Sequence, residues 1–134
     1  MNLNAGSLFS LEGKTVLLTG ASGFLGRTMA QALLSNGARL VALGRSARLA
    51  RLAEEWTRKF GAHRVSARRV DMYDMGPFNA VLDEIVQKES RLDVVINNAH
   101  ELGPQTGFNV PEGALETAIF DQWMRNLTGG IYWA

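Results

Sequence analysis

The stretch Thr19-Gly-Ala-Ser-Gly-Phe-Leu-Gly26 stands between two regular hydrophobic patterns. Before it, Lys14 to Thr19 is a short apolar run with β-branched residues, which predicts a buried strand. After it, apolar residues from Phe24 to Asn36 recur at helical spacing, and Asn36-Gly37 supplies a C-terminal stop. The sequence therefore predicts a strand, a glycine-rich turn and a helix in direct succession.

The alternation of strands and helices continues along the chain. Further strands are predicted at 39–43, 63–70 and 93–97, and further helices from about Ser46, from Gly76-Pro77 and from near Ala118. The helix after Gly76-Pro77 is expected to bury Phe78, Val81, Leu82, Ile85 and Val86. Continuously apolar strands that alternate with helices indicate an α/β fold, a doubly wound parallel sheet with helices on both faces. We expect one Rossmann-like domain over residues 1–134.

Composition excludes several kinds of protein. The 134 residues contain no cysteine, which excludes a disulfide scaffold and a cysteine nucleophile. His63 and His100 are the two histidines, and neither has metal ligands at suitable spacing, so no metal site is expected. Nine of the 14 basic residues lie within residues 39–69, but no aromatic residues interleave with them as nucleic-acid binding would require. Without a signal peptide or an apolar span, a soluble cytoplasmic protein with no membrane or nucleic-acid partner is expected.

The glycine-rich turn has the chemistry of an anion site. Gly20, Gly23 and Gly26 permit a tight turn and a close approach of the backbone to a pyrophosphate, while the following helix presents free N–H groups. Their spacing differs from the standard G-x-G-x-x-G and lacks the G-K-[ST] ending of a P-loop, which disfavours nucleoside triphosphate hydrolysis. A glycine turn with a purely structural role is the alternative.

Four segments together resemble the short-chain dehydrogenase/reductase family. Thr19 to Gly26 is similar to its TGxxGxxG turn, and Asp71 stands where the family has an acidic residue after the third strand. Asn97-Asn-Ala-His100 is similar to the NNAG motif, with histidine in the last place, and Trp123 to Gly129 is similar to a W-x-x-x-N-L-x-G segment. The resemblance implies hydride transfer with a nicotinamide dinucleotide on a small carbonyl or alcohol substrate. Within this family, the chain looks similar to oxidoreductases of surface-sugar and nonulosonate biosynthesis.

The resemblance also implies a role for each site residue. Around the pyrophosphate and the adjoining ribose it would place Gly20, Ser22, Gly23, Phe24, Leu25 and Gly26. Asp71 and Met72 would lie at the adenine, Asn98 and Ala99 at the nicotinamide ribose, and Asn126 would be the catalytic asparagine. Asn97 would be structural, and Asp71 has the alternative of capping a turn. His100 would either narrow the cofactor site or point outward.

The end of the second strand bears on the choice of cofactor. A carboxylate there would accept hydrogen bonds from a ribose 2′-hydroxyl, whereas a cation would pair with a 2′-phosphate. The residues are Gly44, Arg45 and Ser46, so NADP(H) is favoured over NAD(H). The alternative is that Arg45 is a solvated surface residue.

The catalytic tyrosine and lysine of the family, spaced Y-x-x-x-K, have no counterpart, because neither Tyr73 nor Tyr132 has a lysine four residues later. We therefore expect the N-terminal, cofactor-binding half of an NADP(H)-dependent short-chain oxidoreductase, truncated after about four strands and inactive alone. An uncovered fourth strand and an apolar last helix predict self-association, and the family implies a homo-oligomer. The alternative is a non-catalytic NADP(H)-binding or redox-sensing module.

Overall fold

Four parallel strands alternate with helices in a computed structural model, which describes residues 5–100 and Met124. The elements in chain order are α1 (Ala5–Leu8), β1 (Thr15–Thr19), α2 (Phe24–Ser35), β2 (Arg39–Gly44), α3 (Arg48–Phe60), β3 (Val65–Arg69), α4 (Met75–Lys88) and β4 (Val94–Ile96). The α/β class and the predicted alternation are confirmed.

The order of strands in the sheet is β3-β2-β1-β4. The chain winds outward from β1 through β2 to β3, and then crosses back so that β4 pairs with the other side of β1, Leu17 opposite Val95. Because parallel crossovers are right-handed, this reversal sends α4 to the sheet face opposite α2 and α3. The winding direction changes between β1 and β4, and ligands of open α/β sheets bind at the carboxyl ends of the strands at such a point.

The central strands are buried on both faces, as the apolar sequence predicts. All five residues of β1 are buried. On one face Leu18, Leu40 and Ala42 pack in a cluster with residues of α2 and α3 that includes Trp56. On the other face Val41 and Leu43 are fully buried as well. Burial of each large aliphatic side chain contributes about 1.5–3 kcal/mol, so this two-sided core is the main source of stability.

Ionic contacts fasten β4 to β1 at the amino-terminal end of the strands. The carboxylate of Asp93 accepts the Thr15 N–H at 2.9 Å and a hydrogen bond from Arg91 Nε at 2.9 Å, and Lys14 Nζ lies 3.5 Å away. The hydrogen bond from Arg91, then that from Thr15, lowers the pKa of Asp93 from 3.8 to about 2.

Several basic residues of the 39–69 segment have structural partners. Arg39 pairs with Glu89, Arg68 pairs with Glu84, and Arg64 donates to Ala38 O at 3.0 Å near the end of α2. These contacts account for part of the basic cluster without any nucleic acid.

The structure corrects some details of the prediction. Helix α3 begins two residues after Ser46, and residues Ala62–Arg64 form a 3₁₀ turn, so β3 begins at Val65 and not at 63. Val86 was predicted to be buried but is 73% exposed, because the core face of α4 is narrower than the apolar pattern. Helix α1 was not predicted, since its four residues are too short for a periodic signal.

The chain divides into two compact units, Met1–Asn98 and Ala99–Ala134. All the strands above belong to the first unit. Of the second, the structure describes Ala99, His100 and the helical Met124, so most of the predicted long loop and last helix lies outside the described residues. Among the described residues, no helix is long and apolar enough to cross a membrane.

Candidate functional site

The glycine turn lies at the carboxyl end of β1, next to the point where the winding reverses. Gly20 has a φ of +65°, a backbone conformation that residues with a side chain rarely adopt. The Ala21 N–H donates to Leu43 O at 3.1 Å, and the Gly23 N–H donates to Gly20 O at 3.0 Å. The turn is therefore closed on itself and tied to the end of β2.

The third glycine of the turn allows α2 to approach β1. A Cβ atom at Gly26 would lie 2.1 Å from Gly20 O, a distance that real Cβ atoms do not show. At Gly23 the same construction gives 3.2 Å to Gly20 O, a tight contact. The lack of a side chain at these two glycines thus allows the first turn of the helix to pack directly against the backbone of Gly20.

Helix α2 begins at the turn without a side-chain cap. Gly23 is its N-cap and has no side chain to accept an N–H of the first turn. The N-terminal N–H groups of a helix have no intrahelical partner and carry the positive end of its dipole. Beside them Phe24 is 83% exposed and Leu25 is 59% exposed. This end of α2 offers unpaired donors together with open apolar surface.

Asn98 joins the end of β4 to the glycine turn. Its backbone N–H donates to Thr19 Oγ1 at 3.0 Å, and its side-chain Nδ2 donates to Thr19 O at 3.2 Å and to Gly20 O at 3.3 Å. Thr19 Oγ1 in turn donates to Ile96 O at 3.4 Å. Asn98 therefore ties the end of β4 to β1 and to the glycine turn, and its predicted contact with a ribose stays a prediction.

The importance of Thr19 was missed by sequence reasoning, which treated it as the last residue of a strand. Its side chain is fully buried and serves both as acceptor and as donor at the reversal point. The position of Thr immediately before Gly20 was the available signal, because a buried hydroxyl needs a hydrogen-bond partner.

The end of β2 brings polar groups to the same edge of the sheet. Ser22 is buried, and its Oγ lies 3.4 Å from where a Cβ of Gly44 would be. Ser46 Oγ accepts the N–H of Arg48, the first residue of α3, at 3.2 Å. Arg45 is 54% exposed at its side chain, and its carbonyl oxygen accepts a hydrogen bond from Arg69 Nε at 2.8 Å.

Asp71 and Met72 follow β3 at the carboxyl edge. Asp71 Oδ1 accepts the Tyr73 N–H at 3.0 Å. One oxygen of this carboxylate therefore caps the turn, as the alternative prediction for Asp71 states. The other oxygen, Oδ2, lies 4.0 Å from Arg45 Nη1. The side chain of Met72 is buried, so a ligand at this point would meet mainly its backbone.

The structure brings most of the predicted cofactor residues to one edge of the sheet. The glycine turn, Arg45, Asp71 and Asn98 all follow the carboxyl ends of the four strands. Ala99 and His100 belong to the second unit, the first half-buried and the second exposed, and Asn126 lies outside the described residues. The predicted roles of these three residues stay predictions.

These features fit a dinucleotide. A pyrophosphate needs backbone donors at a helix N-terminus and glycines that let it come close to the backbone, and the turn from Gly20 to Gly26 leads into such a helix end and carries three glycines. The residues that would hold the diphosphate are Ser22, Gly23 and the first turn of α2. The parallel sheet with a glycine turn at its reversal point defines the dinucleotide-binding class of α/β folds.

Sequence comparison identifies the family within this class. The chain belongs to the short chain dehydrogenase family, whose sequence model matches residues 14–132. Oxidoreductase UcpA from Salmonella typhimurium is 35% identical over 89 residues, which are 66% of this chain and 33% of UcpA. The family binds nicotinamide dinucleotides, which agrees with the geometry of the glycine turn.

Two solved structures are also similar. The N-domain of a bacterial malonyl-CoA reductase with NADP is 35% identical at a TM-score of 0.64, over 71% of this chain and 18% of that chain. L-Sorbose reductase from Gluconobacter frateurii, complexed with NADPH and L-sorbose, is 25% identical at a TM-score of 0.66, over 92% of this chain and 49% of that chain. This chain thus spans at most about half the length of these relatives.

Proposed function

We propose that this chain is the NADP(H)-binding part of a short-chain oxidoreductase that interconverts a carbonyl and an alcohol on a small molecule. The observation that carries the proposal is the glycine turn at the strand reversal, where a Cβ at Gly26 would meet backbone at 2.1 Å. The exposed side chain of Phe24 lies beside the N-terminal N–H groups of α2, which supports a ligand at this end of the helix.

In the proposed complex, the N–H groups of the first turn of α2 hold the diphosphate, and the exposed Phe24 and Leu25 cover its neighbouring ribose and exclude water. Asp71 and the backbone of Met72 lie at the adenine, while Asn98, Ala99 and His100 lie toward the nicotinamide. When bound, the nicotinamide supplies a hydride for transfer. Asn126 is the proposed catalytic asparagine, and the substrate class stays a prediction from resemblance.

The preference for NADP(H) rests on charge at the end of β2. Arg45 there is exposed, and no carboxylate follows Gly44 to accept hydrogen bonds from a ribose 2′-hydroxyl. A guanidinium pairs with a phosphate through two parallel N–H donors, and a neutral hydroxyl does not form such a pair. Of the two similar structures described above, one contains NADP and the other NADPH, which supports the proposal.

A second candidate is a binding or redox-sensing module without turnover. The observation in its favour is that Tyr73 is followed four residues later by Pro77 and not by the lysine of the family spacing. Both candidates share the nucleotide site, and we propose that the chain by itself binds without turning over. Oxidation of NADPH by the purified chain in the presence of small ketones and aldehydes would contradict this last point.

Calorimetric titration of the purified chain with NADPH and with NADH tests the proposal. We expect tighter binding of NADPH, and Arg45→Gln to reduce the ratio of the two affinities by about fivefold to tenfold, the effect of one exposed charge pair to phosphate. Arg58→Gln removes the same charge from the last turn of α3 and is the control. Equal affinities in the wild type would contradict the cofactor preference. No binding of either nucleotide by a cooperatively folded sample would contradict the whole proposal.

A further inference from the structure

Arg69 stands beside the turn that carries Arg45. It is the last residue of β3, and its Cα partner in the sheet is Gly44, the last residue of β2. The Val70 N–H donates to Gly44 O at 3.1 Å, so the strand ladder continues to the point where Arg45 begins the turn. The backbone of β3 thus accompanies β2 to the edge at which a 2′-phosphate is proposed to bind.

The side chain of Arg69 crosses from β3 to this turn. Its Nε donates to Arg45 O at 2.8 Å, a normal hydrogen-bond length. Ser46 Oγ accepts the Arg48 N–H at 3.2 Å on the following side. The bond from Arg69 therefore holds the peptide group between Arg45 and Ser46, and the Ser46 hydroxyl joins the next residues of this exposed turn to the start of α3.

A residue that follows β3 also orients the guanidinium of Arg45. Its Nη1 lies 4.0 Å from Asp71 Oδ2, while the other oxygen of Asp71 is used by the Tyr73 N–H. An exposed arginine has many rotamers, and bidentate pairing with phosphate requires one of them. Arg69 at the carbonyl and Asp71 at the guanidinium together reduce the freedom of Arg45 at both ends.

Arg69 also changes the electrostatics of the turn. A backbone carbonyl carries partial negative charge and repels a phosphate dianion nearby, and the Arg69 guanidinium covers this oxygen with a positive charge. Arg45 and Arg69 bring two positive charges to this turn and Asp71 brings one negative charge, so the balance of these three groups is positive for an incoming anion. Both effects favour a 2′-phosphate and are indifferent to a 2′-hydroxyl.

We propose that Arg69 is a positioning residue for recognition of a ribose 2′-phosphate, acting through its hydrogen bond to the Arg45 carbonyl. The inference rests on the proposed function, because it concerns the same nucleotide site. It adds a residue from β3 to that site, so the discrimination between cofactors depends on a neighbouring strand as well as on β2. Sequence reasoning did not find Arg69, because the contact depends on the register between β2 and β3.

The test uses two probes that differ in one group, adenosine 2′,5′-bisphosphate and adenosine 5′-monophosphate. Each is titrated into ¹⁵N-labelled full chain and followed by NMR, with the ratio of their affinities as readout. We expect Arg69→Met to lower this ratio about fivefold, the scale of an exposed charged interaction, and to leave the affinity for adenosine 5′-monophosphate within twofold. Arg69→Lys, which keeps the charge and a donor, recovers part of the ratio. Arg58→Met is the control for a lost surface charge.

A double variant separates positioning from direct contact. If Arg69 acts mainly through Arg45, then Arg45→Gln with Arg69→Met lowers the ratio by clearly less than the two single losses combined. Additive losses would overturn the inference, as would a fall in both affinities that leaves the ratio unchanged, which is the result of a merely structural role. A wild-type chain that prefers the 2′-phosphate while Arg69→Met keeps that preference overturns this inference and leaves the proposed function standing. A wild-type chain without preference overturns both.

Discussion

At Gly26 the space for a side chain is occupied by the backbone of Gly20. The contact is between main-chain atoms, so no side-chain rotation relieves it. The same closeness brings the first turn of α2 to the end of β1 and exposes its N–H groups to a ligand. One hydrogen atom in place of a methyl group thus serves packing and binding together.

We expect Gly26→Ala to weaken both stability and nucleotide binding. The added Cβ displaces the turn, and overpacking of this kind costs about 1–3 kcal/mol in the free energy of unfolding. Urea unfolding and an NADPH titration measure the two effects. Gly76→Ala is the matched control, because its Cβ would meet only Asp74 Oδ1 at 3.9 Å within helix α4, and we expect a change of at most about 1 kcal/mol toward greater stability. A Gly26→Ala chain that unfolds and binds like the wild type would refute the steric argument.

Among the elements, α4 is attached to the edge strand β3 by charge. Arg68 Nη2 donates to Glu84 Oε1 at 2.8 Å, and Lys88 pairs with the same carboxylate one helical turn later. The hydrogen bond from Arg68, followed by that from Lys88, lowers the pKa of Glu84 from 4.5 to about 2. The residues concerned are partly exposed, so the link contributes modestly and depends on pH and salt.

The pH dependence of this link follows from the direction of the shift. Between pH 4.5 and 2 the unfolded chain binds the Glu84 proton and the folded chain does not, so stability from this group is complete above pH 4.5 and is lost as pH falls toward 2. We expect Glu84→Gln to be less stable than wild type at pH 7, with the difference shrinking to nothing near pH 2. Urea unfolding at a series of pH values gives the curve, with Glu55→Gln, an exposed glutamate on α3, as control. A difference that is constant with pH would be evidence against the ion pair.

On the scale of the whole molecule, β4 is an edge strand of the described sheet, with Val94 40% and Val95 38% exposed. An edge strand presents unpaired N–H and C=O groups, and apolar side chains beside them favour pairing with another chain. The central strands β1 and β2, by contrast, are paired on both sides. The described sheet therefore has an open side next to the candidate site.

We expect the chain to self-associate through this edge, and Val95→Lys to shift it toward the monomer because a charged side chain on an edge strand opposes pairing. Sedimentation velocity over a range of concentrations measures the change. Val86→Lys places the same charge on the 73% exposed valine of α4 and is the control. If both variants associate as the wild type does, or dissociate equally, the β4 edge is not the contact.

The sequence by itself determined the alternation of strands and helices, the parallel class of the sheet and the position of the glycine turn. These follow from local signals, such as apolar runs, helical spacing and the spacing of Gly20, Gly23 and Gly26, each within a few residues. It also indicated the residues after each strand, because parallel strands end at one edge. Val86 shows the limit of the pattern, since hydrophobicity alone does not tell which apolar residues of a helix meet the core.

Tertiary structure alone decided the contacts between elements distant in sequence. That Asn98, two residues beyond the last paired residue of β4, ties this strand to the glycine turn depends on the register of β4 against β1. Arg69 and Arg45 are 24 residues apart in the chain. That Arg69 reaches the carbonyl of Arg45 depends on the register of β2 against β3. Such contacts are set by strand pairing and by the reversal of winding at β1. Many sequences share the same hydrophobic pattern, so the pattern alone does not specify these contacts. Local sequence therefore specifies the parts of this site, and their juxtaposition comes from the packing of the sheet.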